Sequence, residues 1–237
     1  MHVVYILGTG SLHDDIELRF SLRSLKFVKG LNKVFIVGHR PNWVTEITHL
    51  PFEDKHKAKD RNLIDKIKHY CEQSDGNPFI KMSDDHVFIK EWSIENHVVL
   101  NSGNYRHWCK QAQTLWVKKL LYTMRLYIQA GVDQNEVMGY DTHSATLIKP
   151  GLFLEAMDRV STEELDNITW GTWYGNYAPP LSSISSKGIL KYFNQPMNSF
   201  PVDPETRFIS YAETAVNQEL INWIKTIVGG PSKFELF

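Results

Sequence analysis

The sequence has few cysteines and no long apolar segment. Only two of its 237 residues are cysteine, Cys71 and Cys109, and each falls within a helical pattern. This usage argues against a disulfide-stapled scaffold and favours a reducing compartment. No apolar run approaches the roughly 18 residues that a transmembrane helix needs. The run after Met1 is too short for a signal peptide and lacks a basic leader, so we expect a cytoplasmic protein with no membrane span.

A complete phosphate-loop motif is also missing. Gly8-Thr9-Gly10-Ser11 follows the first apolar run and resembles half of a phosphate-binding loop. It is neither a full GxGxxG nor a Walker A motif, which argues against a dinucleotide-binding or P-loop protein. A tight turn at Gly8, Thr9 and Gly10 still lets a nucleotide base or ribose approach the backbone, so these residues are candidates for binding a nucleotide.

Acidic residues are absent from residues 96–132, although the formal net charge of the chain is only −1. Cations and aromatic residues alternate in this segment, which suits a phosphate backbone and stacked bases. Lys118 and Lys119 are therefore candidates for contacting an acceptor. The alternative is an amphipathic helix whose tryptophans and leucines face the core while its lysines face water.

The length suits one α/β domain. Apolar runs that alternate with helical patterns predict a mostly parallel, Rossmann-like sheet with helices on both faces. We expect a single domain over residues 1–237, with one functional half at about 1–95 and another at about 96–237. The predicted strands are 3–7, 33–37, 47–50, 79–82 and 87–89. In the second half we predict helices at 106–130, 150–157 and 213–228, an extended segment at 141–148 and a loop at 168–180.

Two adjacent carboxylates end the strand at residues 79–82. Asp84 and Asp85 are followed by His86 and another short apolar run. Ligands of parallel α/β sheets collect at the carboxyl ends of strands, and neighbouring carboxylates repel each other unless a positive charge offsets them. Carboxylate oxygens suit Mg²⁺ and Mn²⁺, and imidazole tolerates Mn²⁺. Asp84, Asp85 and His86 are therefore candidate metal ligands, with a solvated acidic turn as the alternative.

Clustered cations precede the helix that we expect from Asp60. Lys55, Lys59 and Arg61 run into its N-terminus, a combination that favours binding of a diphosphate, and Asn62 adds a polar contact. A solvated basic loop would look the same. Arg19, on a cationic helix face after the glycine turn, is a further candidate for contacting the phosphates.

Candidate acid–base and stacking residues lie in the second half. On an extended strand Asp141 and His143 would face the same side, where one could act as general base and the other could orient it or contact the metal. Asp166 and Glu213 are secondary candidates for the base. Trp170 and Trp173, in a glycine-rich segment, could stack on a sugar ring.

Several segments resemble glycosyltransferases of the GT-A type. They are similar to bacterial and phage capsule-type transferases and to the Stealth sugar-1-phosphate transferases. The resemblance is carried by residues 15–25 (DIELRFSLRSL), 34–37 (VFIV), 41–44 (PNWV), 59–67 (KDRNLIDKI), 82–88 (MSDDHVF) and 140–143 (YDTH). It implies that 59–67, with Asp65, is the donor-binding helix and that Ser-Asp-Asp-His replaces the family's metal-binding DxD.

The resemblance implies a GT-A fold, a nucleotide-sugar donor such as a UDP-sugar, and Mn²⁺ or Mg²⁺. The expected activity is a metal-dependent hexosyl- or pentosyltransferase of a bacterial or phage-infected cytoplasm. Its acceptor would be a saccharide or a 5-hydroxymethylated pyrimidine in phage DNA. Two alternatives stay open: a Stealth-like sugar-1-phosphate transferase and a non-catalytic nucleic-acid-binding domain.

Overall fold

A computed structural model describes residues 1–9, 13–94, 97–180 and 183–236, which form a mixed α/β structure. The strands are β1 (His2–Leu7), β2 (Val28–Lys29), β3 (Lys33–Gly38), β4 (Thr48–Leu50), β5 (Phe79–Met82), β6 (His86–Phe88), β7 (Trp92–Ser93), β8 (Val99–Asn101), β9 (Thr146–Ile148), β10 (Ser183–Ser185), β11 (Leu190–Phe193) and β12 (Phe208–Tyr211). The helices are α1 (Ile16–Ser24), α2 (Lys59–Gln73), α3 (Tyr105–Trp108), α4 (Leu115–Gln129), α5 (Pro150–Asp158), α6 (Trp170–Tyr177) and α7 (Gln218–Val228).

The largest sheet has the strand order β4-β3-β1-β5-β9 and is parallel except for β9. After β1 the chain moves outward to β3 and β4, then crosses back through α2 to pair β5 with the other side of β1. The winding direction therefore reverses between β1 and β5. In open parallel sheets the crevice outside the carboxyl ends of such a strand pair is the usual ligand site.

Both faces of β1 are buried, which explains its continuous apolar sequence. Val3 and Tyr5 pack with Leu18 and Leu22 of α1 on one face. Val4 belongs to the core on the other face, which α2, α5 and α6 cover. The mostly parallel sheet with flanking helices that the sequence predicts is confirmed.

A second sheet brings the last part of the chain beside β5. Its order is β11-β12-β6, with β12 parallel to β11 and antiparallel to β6. Apolar residues of this sheet and of α7 form a separate core that includes Val87, Ile209 and Ile224. Because β6 follows the Asp84–Asp85 corner directly, β12 and β11 lie next to that corner.

The loop predicted for residues 168–180 is wrong, because α6 occupies Trp170–Tyr177. Its glycines suggest a flexible segment, but they serve close packing. A Cβ at Gly175 would lie 2.3 Å from Cδ2 of Tyr140, and a Cβ at Gly171 would lie 2.7 Å from Oδ1 of Asp141. The helix can approach residues 140–141 only because these positions lack side chains.

Other predicted elements are shortened or divided. The helix predicted at 106–130 is two helices, α3 and α4, and Thr114 Oγ1 caps α4 by accepting the Val117 N–H at 3.3 Å. The C-terminal helix begins at Gln218 rather than 213, after a cap in which Asn217 Oδ1 accepts the Leu220 N–H. Only Thr146–Ile148 of the extended segment 141–148 is strand. The helix opened by Pro150 is confirmed.

None of the helices in the described part of the chain is long and apolar enough to cross a membrane. Cys71 is buried and Cys109 is exposed, and both are free thiols.

Candidate functional site

A cleft of about 440 Å³ lies outside the carboxyl ends of β1 and β5, at the reversal point of the sheet. It gathers candidate residues from five segments that are distant in the sequence. Eight candidates identified from the sequence line the cleft: Gly8, Thr9, Lys59, Asn62, Asp84, Asp85, His143 and Glu213. Gly10 lies outside the described residues.

The end of β1 is fixed by contacts inside the protein. The buried Lys66 donates to the Leu7 carbonyl at 2.7 Å and pairs with Asp54 at 2.5 Å. Gly38 has a φ of +106°, and a Cβ there would lie 2.1 Å from the Leu7 oxygen, so this position requires glycine. Gly8 differs, because a Cβ would meet only Asp54 Oδ2 at 3.6 Å. The protein itself therefore has room for a side chain at Gly8.

The two carboxylates after β5 have different surroundings. Asp85 Oδ2 accepts a hydrogen bond of 2.6 Å from Ser210 Oγ on β12. Burial, followed by the charges of Asp85 and Glu17, raises the pKa of Asp84 to about 6. Burial lowers the pKa of Lys81 on β5, and the charges of Asp85 and Asp84 oppose that effect. A further cation beside Asp84 would favour the charged form of its carboxylate.

His86 is buried and does not line the cleft. Its Nδ1 accepts the Ser83 N–H at 3.3 Å, so the neutral ring carries its hydrogen on Nε2, which lies 3.7 Å from Asp85 Oδ1. Burial lowers the pKa of His86 to about 3, which keeps the ring neutral at pH 7. Neither ring nitrogen then has a lone pair for a metal, and His86 instead supports the backbone of the corner.

A second group of metal-ligand atoms comes from His13, Glu17 and Glu213, whose donor atoms all lie within 4.8 Å of one another. Glu17 and Glu213 line the same cleft as Asp84 and Asp85. From the sequence, Glu213 is a candidate only for the base, and His13 and Glu17 are not identified as ligands. The spacing of His13 and Glu17, four residues apart at the start of α1, was the available signal.

The opposite wall is the start of α2. Asn62 accepts the backbone N–H groups of Lys55 and His56 at 3.0 and 2.9 Å and donates to the His56 carbonyl at 2.7 Å. It thereby builds the turn before α2. Lys59 is exposed in the first turn of this helix and faces the cleft. The side chain of Lys55 lies 5.0 Å over the Phe52 ring and does not line the cleft.

Three other candidates for donor binding are held by contacts outside the cleft. Arg61 donates to the Thr162 carbonyl at 2.9 Å, and Asp65 pairs with His56 at 3.0 Å. Arg19 lies 3.9 Å over the Trp43 ring and pairs with Glu235 at 3.2 Å.

Glu235, 3 % exposed, joins α1 to the end of the described chain. Besides Arg19, it accepts from Nε and Nη2 of Arg23 at 2.8 and 2.6 Å. Burial alone would raise the pKa of Glu235, but the hydrogen bonds from Arg23 and Ser232 outweigh it, and the pKa lies below its ordinary value. The role of Arg19 in the described contacts is therefore structural.

Asp141 and His143 are not in a strand and do not share one surface. The Asp141 carboxylate accepts the N–H groups of Gly171 and Thr172 at 3.2 and 2.9 Å and the Thr172 hydroxyl at 2.6 Å. It therefore caps the N-terminus of α6. His143, with a φ of +49°, lines the cleft, and its ring stacks on Tyr192 at 4.6 Å between centroids. Only His143 is positioned to meet a bound molecule.

The candidates for acceptor contact lie away from the cleft. Trp170 and Trp173 lie on α6 and pack in or against the core between this helix and the sheet. Trp173 Nε1 donates to the Ala156 carbonyl at 2.8 Å. On α4, Lys119 lies 3.5 Å from Asp60, while Lys118 is exposed. Helix α4 is amphipathic, which agrees with the alternative that its apolar residues face the core and its lysines face water. Its Trp116 is nevertheless 37 % exposed.

Comparison of the chain with models of protein families finds no match, and comparison with curated proteins finds none either.

Proposed function

We propose that this protein is a GT-A-type glycosyltransferase that moves a sugar from a nucleotide-sugar donor to an acceptor hydroxyl with the help of a divalent cation. One observation carries the proposal. The turn after β1 and the carboxylate pair after β5 border one cleft at the reversal point of a parallel sheet. That arrangement suits a ligand with a nucleoside at one end and a diphosphate near the carboxylates.

The donor side of the cleft uses backbone and positive charge. Gly8 and Thr9 offer a turn that a base or ribose can approach closely, because Gly8 carries no side chain. Lys59 adds a cation at the N-terminus of α2, where unpaired N–H groups and the helix dipole favour an anion. These groups would bind the nucleoside and the diphosphate of a UDP-sugar.

The carboxylates suit a hard divalent cation such as Mn²⁺ or Mg²⁺. Burial, and then the negative charges of Asp85 and Glu17, raises the pKa of Asp84, so a bound cation would favour its charged form. Asp84 and Asp85 would hold the cation, which would neutralise the nucleotide diphosphate as it departs. Asp85 is oriented for this by Ser210, and His86 supports the turn that presents both carboxylates.

On the acceptor side, His143 is the candidate base. Its stacking on Tyr192 orients an imidazole at the cleft, where it could accept the proton of an attacking hydroxyl. We favour a saccharide as the acceptor, because Lys118 and Lys119 do not line the cleft that would hold the donor. Transfer to hydroxymethylated DNA is the alternative outcome of the assay.

The first test is a donor screen by thermal unfolding with UDP-, GDP- and CMP-sugars in the presence of Mn²⁺. A donor at about 100 times its dissociation constant adds roughly 2.7 kcal/mol to the free energy of unfolding. Gly8→Ala should fold normally, since its Cβ meets only ordinary contacts, and should lose donor binding. Gly151→Ala, with no atom within 4 Å of its Cβ, is the matched control.

The second test is product formation, followed by mass spectrometry with saccharide and hydroxymethylated DNA acceptors. Asp84→Asn should abolish transfer. Unchanged transfer by that variant, or the absence of binding by every donor, would refute the proposal. A product that carries one additional phosphate group would instead identify a sugar-1-phosphate transferase.

A further inference from the structure

Three metal-ligand side chains from two distant segments of the chain meet beside the cleft. His13 precedes α1, Glu17 lies in its first turn, and Glu213 follows β12 after almost 200 intervening residues. One donor atom from each lies within 4.8 Å of the other two. Ligands around one small cation are about 3–4 Å apart at bond lengths of about 2.1 Å, so only a small closing movement would complete such a group.

The side chain of Tyr211 gives an independent indication that a ligand belongs here. It is 3 % exposed, and its hydroxyl has no hydrogen-bond partner among the described residues. Tyr211 lines the cleft together with Glu17 and Glu213. Buried tyrosine hydroxyls normally have a partner, and a cation with its bound water or ligand oxygens would supply one.

We propose that His13, Glu17 and Glu213 bind a divalent transition-metal ion, with the Tyr211 hydroxyl directed at the remaining positions around that ion. This site is additional to the Asp84–Asp85 pair, which lines the same cleft. It deepens the proposed function by naming a second cation position beside the donor, but binding of the ion does not depend on that function.

The ligand types determine which ion the site prefers. Two carboxylates alone would accept Mg²⁺, Ca²⁺ or Mn²⁺ with little distinction, whereas an imidazole favours Mn²⁺ or Zn²⁺ over Mg²⁺. The buried Glu17 forms the inner side of the site, His13 is half-buried and Glu213 is exposed. An ion can therefore enter from the cleft and be closed in by Glu213.

The test is a titration of the metal-free full-length chain with Mn²⁺, followed by electron paramagnetic resonance, with Mg²⁺ as competitor. Glu213→Gln should weaken Mn²⁺ binding by about tenfold or more, since even residues that only support metal ligands often contribute 10–100-fold. His13→Ala should reduce the preference for Mn²⁺ over Mg²⁺ by about the same factor. Glu219→Gln removes the charge of another exposed glutamate and should change neither quantity.

Glu213 and His13 are chosen because they are more exposed than Glu17, so their variants should fold; circular dichroism checks this. The inference is overturned if the wild-type chain binds no Mn²⁺, or if binding survives Glu213→Gln and His13→Ala and is lost only in Asp84→Asn. That last result would leave the proposed function intact. Mn²⁺ binding that requires Glu213 and His13, without binding of any nucleotide-sugar, would support the metal site and refute the proposed function.

Discussion

Replacing Asp84 with asparagine should stabilise the protein at neutral pH. The carboxyl has a pKa of about 6 in the folded chain and 3.8 as its ordinary value. The unfolded chain therefore releases this proton at lower pH than the folded chain does. Stability from this group falls as the pH rises from about 4 to about 6, and the penalty is constant above that range.

The size of the effect follows from the pKa difference. At 1.36 kcal/mol per unit, a difference of about two units corresponds to about 3 kcal/mol, and screening by water in the cleft reduces this to roughly 1–3 kcal/mol. The amide of the Asp84→Asn variant would keep an oxygen acceptor while losing the repulsion from Asp85 and Glu17. The gain in stability of this variant over the wild type should be about one third of its full size at pH 4.5 and nearly complete at pH 8.

Urea unfolding of both proteins at the two pH values, with a chelator present, measures this difference. Asp158→Asn is the control, because Asp158 is 69 % exposed and pairs only at the surface with Lys68, so its effect should stay within about 0.5 kcal/mol. A loss of stability in Asp84→Asn, or a gain that is equal at pH 4.5 and pH 8, would refute the electrostatic account of this corner.

Three further predictions concern contacts that hold helices α1 and α6 in place. Asp141→Ala should lower the free energy of unfolding by about 1–3 kcal/mol in urea, because α6 loses its cap; an unchanged midpoint would contradict the capping role. Gly175→Ala should cost about 1–3 kcal/mol through overlap with the Tyr140 ring, whereas Gly151→Ala should be neutral or slightly stabilising, and equal thermal shifts would exclude the steric explanation. Glu235→Ala should cost about 3 kcal/mol at pH 7 by removing the buried partner of the half-buried Arg19 and Arg23. Because the pKa of Glu235 is lowered in the folded chain, the stability difference between the wild type and this variant should shrink as the pH falls below about 4.5. A stability difference in urea that does not change with pH would argue against the ion pair.

The sequence allowed prediction of one side of the cleft because its signals are local. The apolar runs of β1 and β5 identify buried parallel strands, and whatever follows such strands lies at the same edge of the sheet. Gly8, Thr9, Asp84 and Asp85 could therefore be grouped before any contact was known. Lys59 could be added because a helix start is also a local signal.

The other side depends on contacts between distant segments. Glu213 and Tyr211 reach the cleft because β12 pairs with β6, with Ser210 opposite His86, and no local pattern encodes that register. The mistaken loop at 168–180 has a related cause. Glycines that favour turns in isolation are tolerated in α6, because they permit contact with Tyr140 and Asp141. For the same reason the sequence suggests Asp141 as a base, whereas its carboxylate caps α6.

The two halves of the carboxylate corner are supported differently, and this asymmetry bears on function. Asp85 is held from the second sheet by Ser210, so its orientation depends on correct pairing of β6 with β12. Asp84 lacks a comparable side-chain donor in the described contacts and carries the raised pKa. Two neighbouring carboxylates in different environments can serve different roles. We therefore expect Asp85 to orient the site and Asp84 to be the group whose charge a bound cation changes most. Placing the two carboxylates side by side at the reversal point of the sheet lowers the local stability, as is common at binding sites.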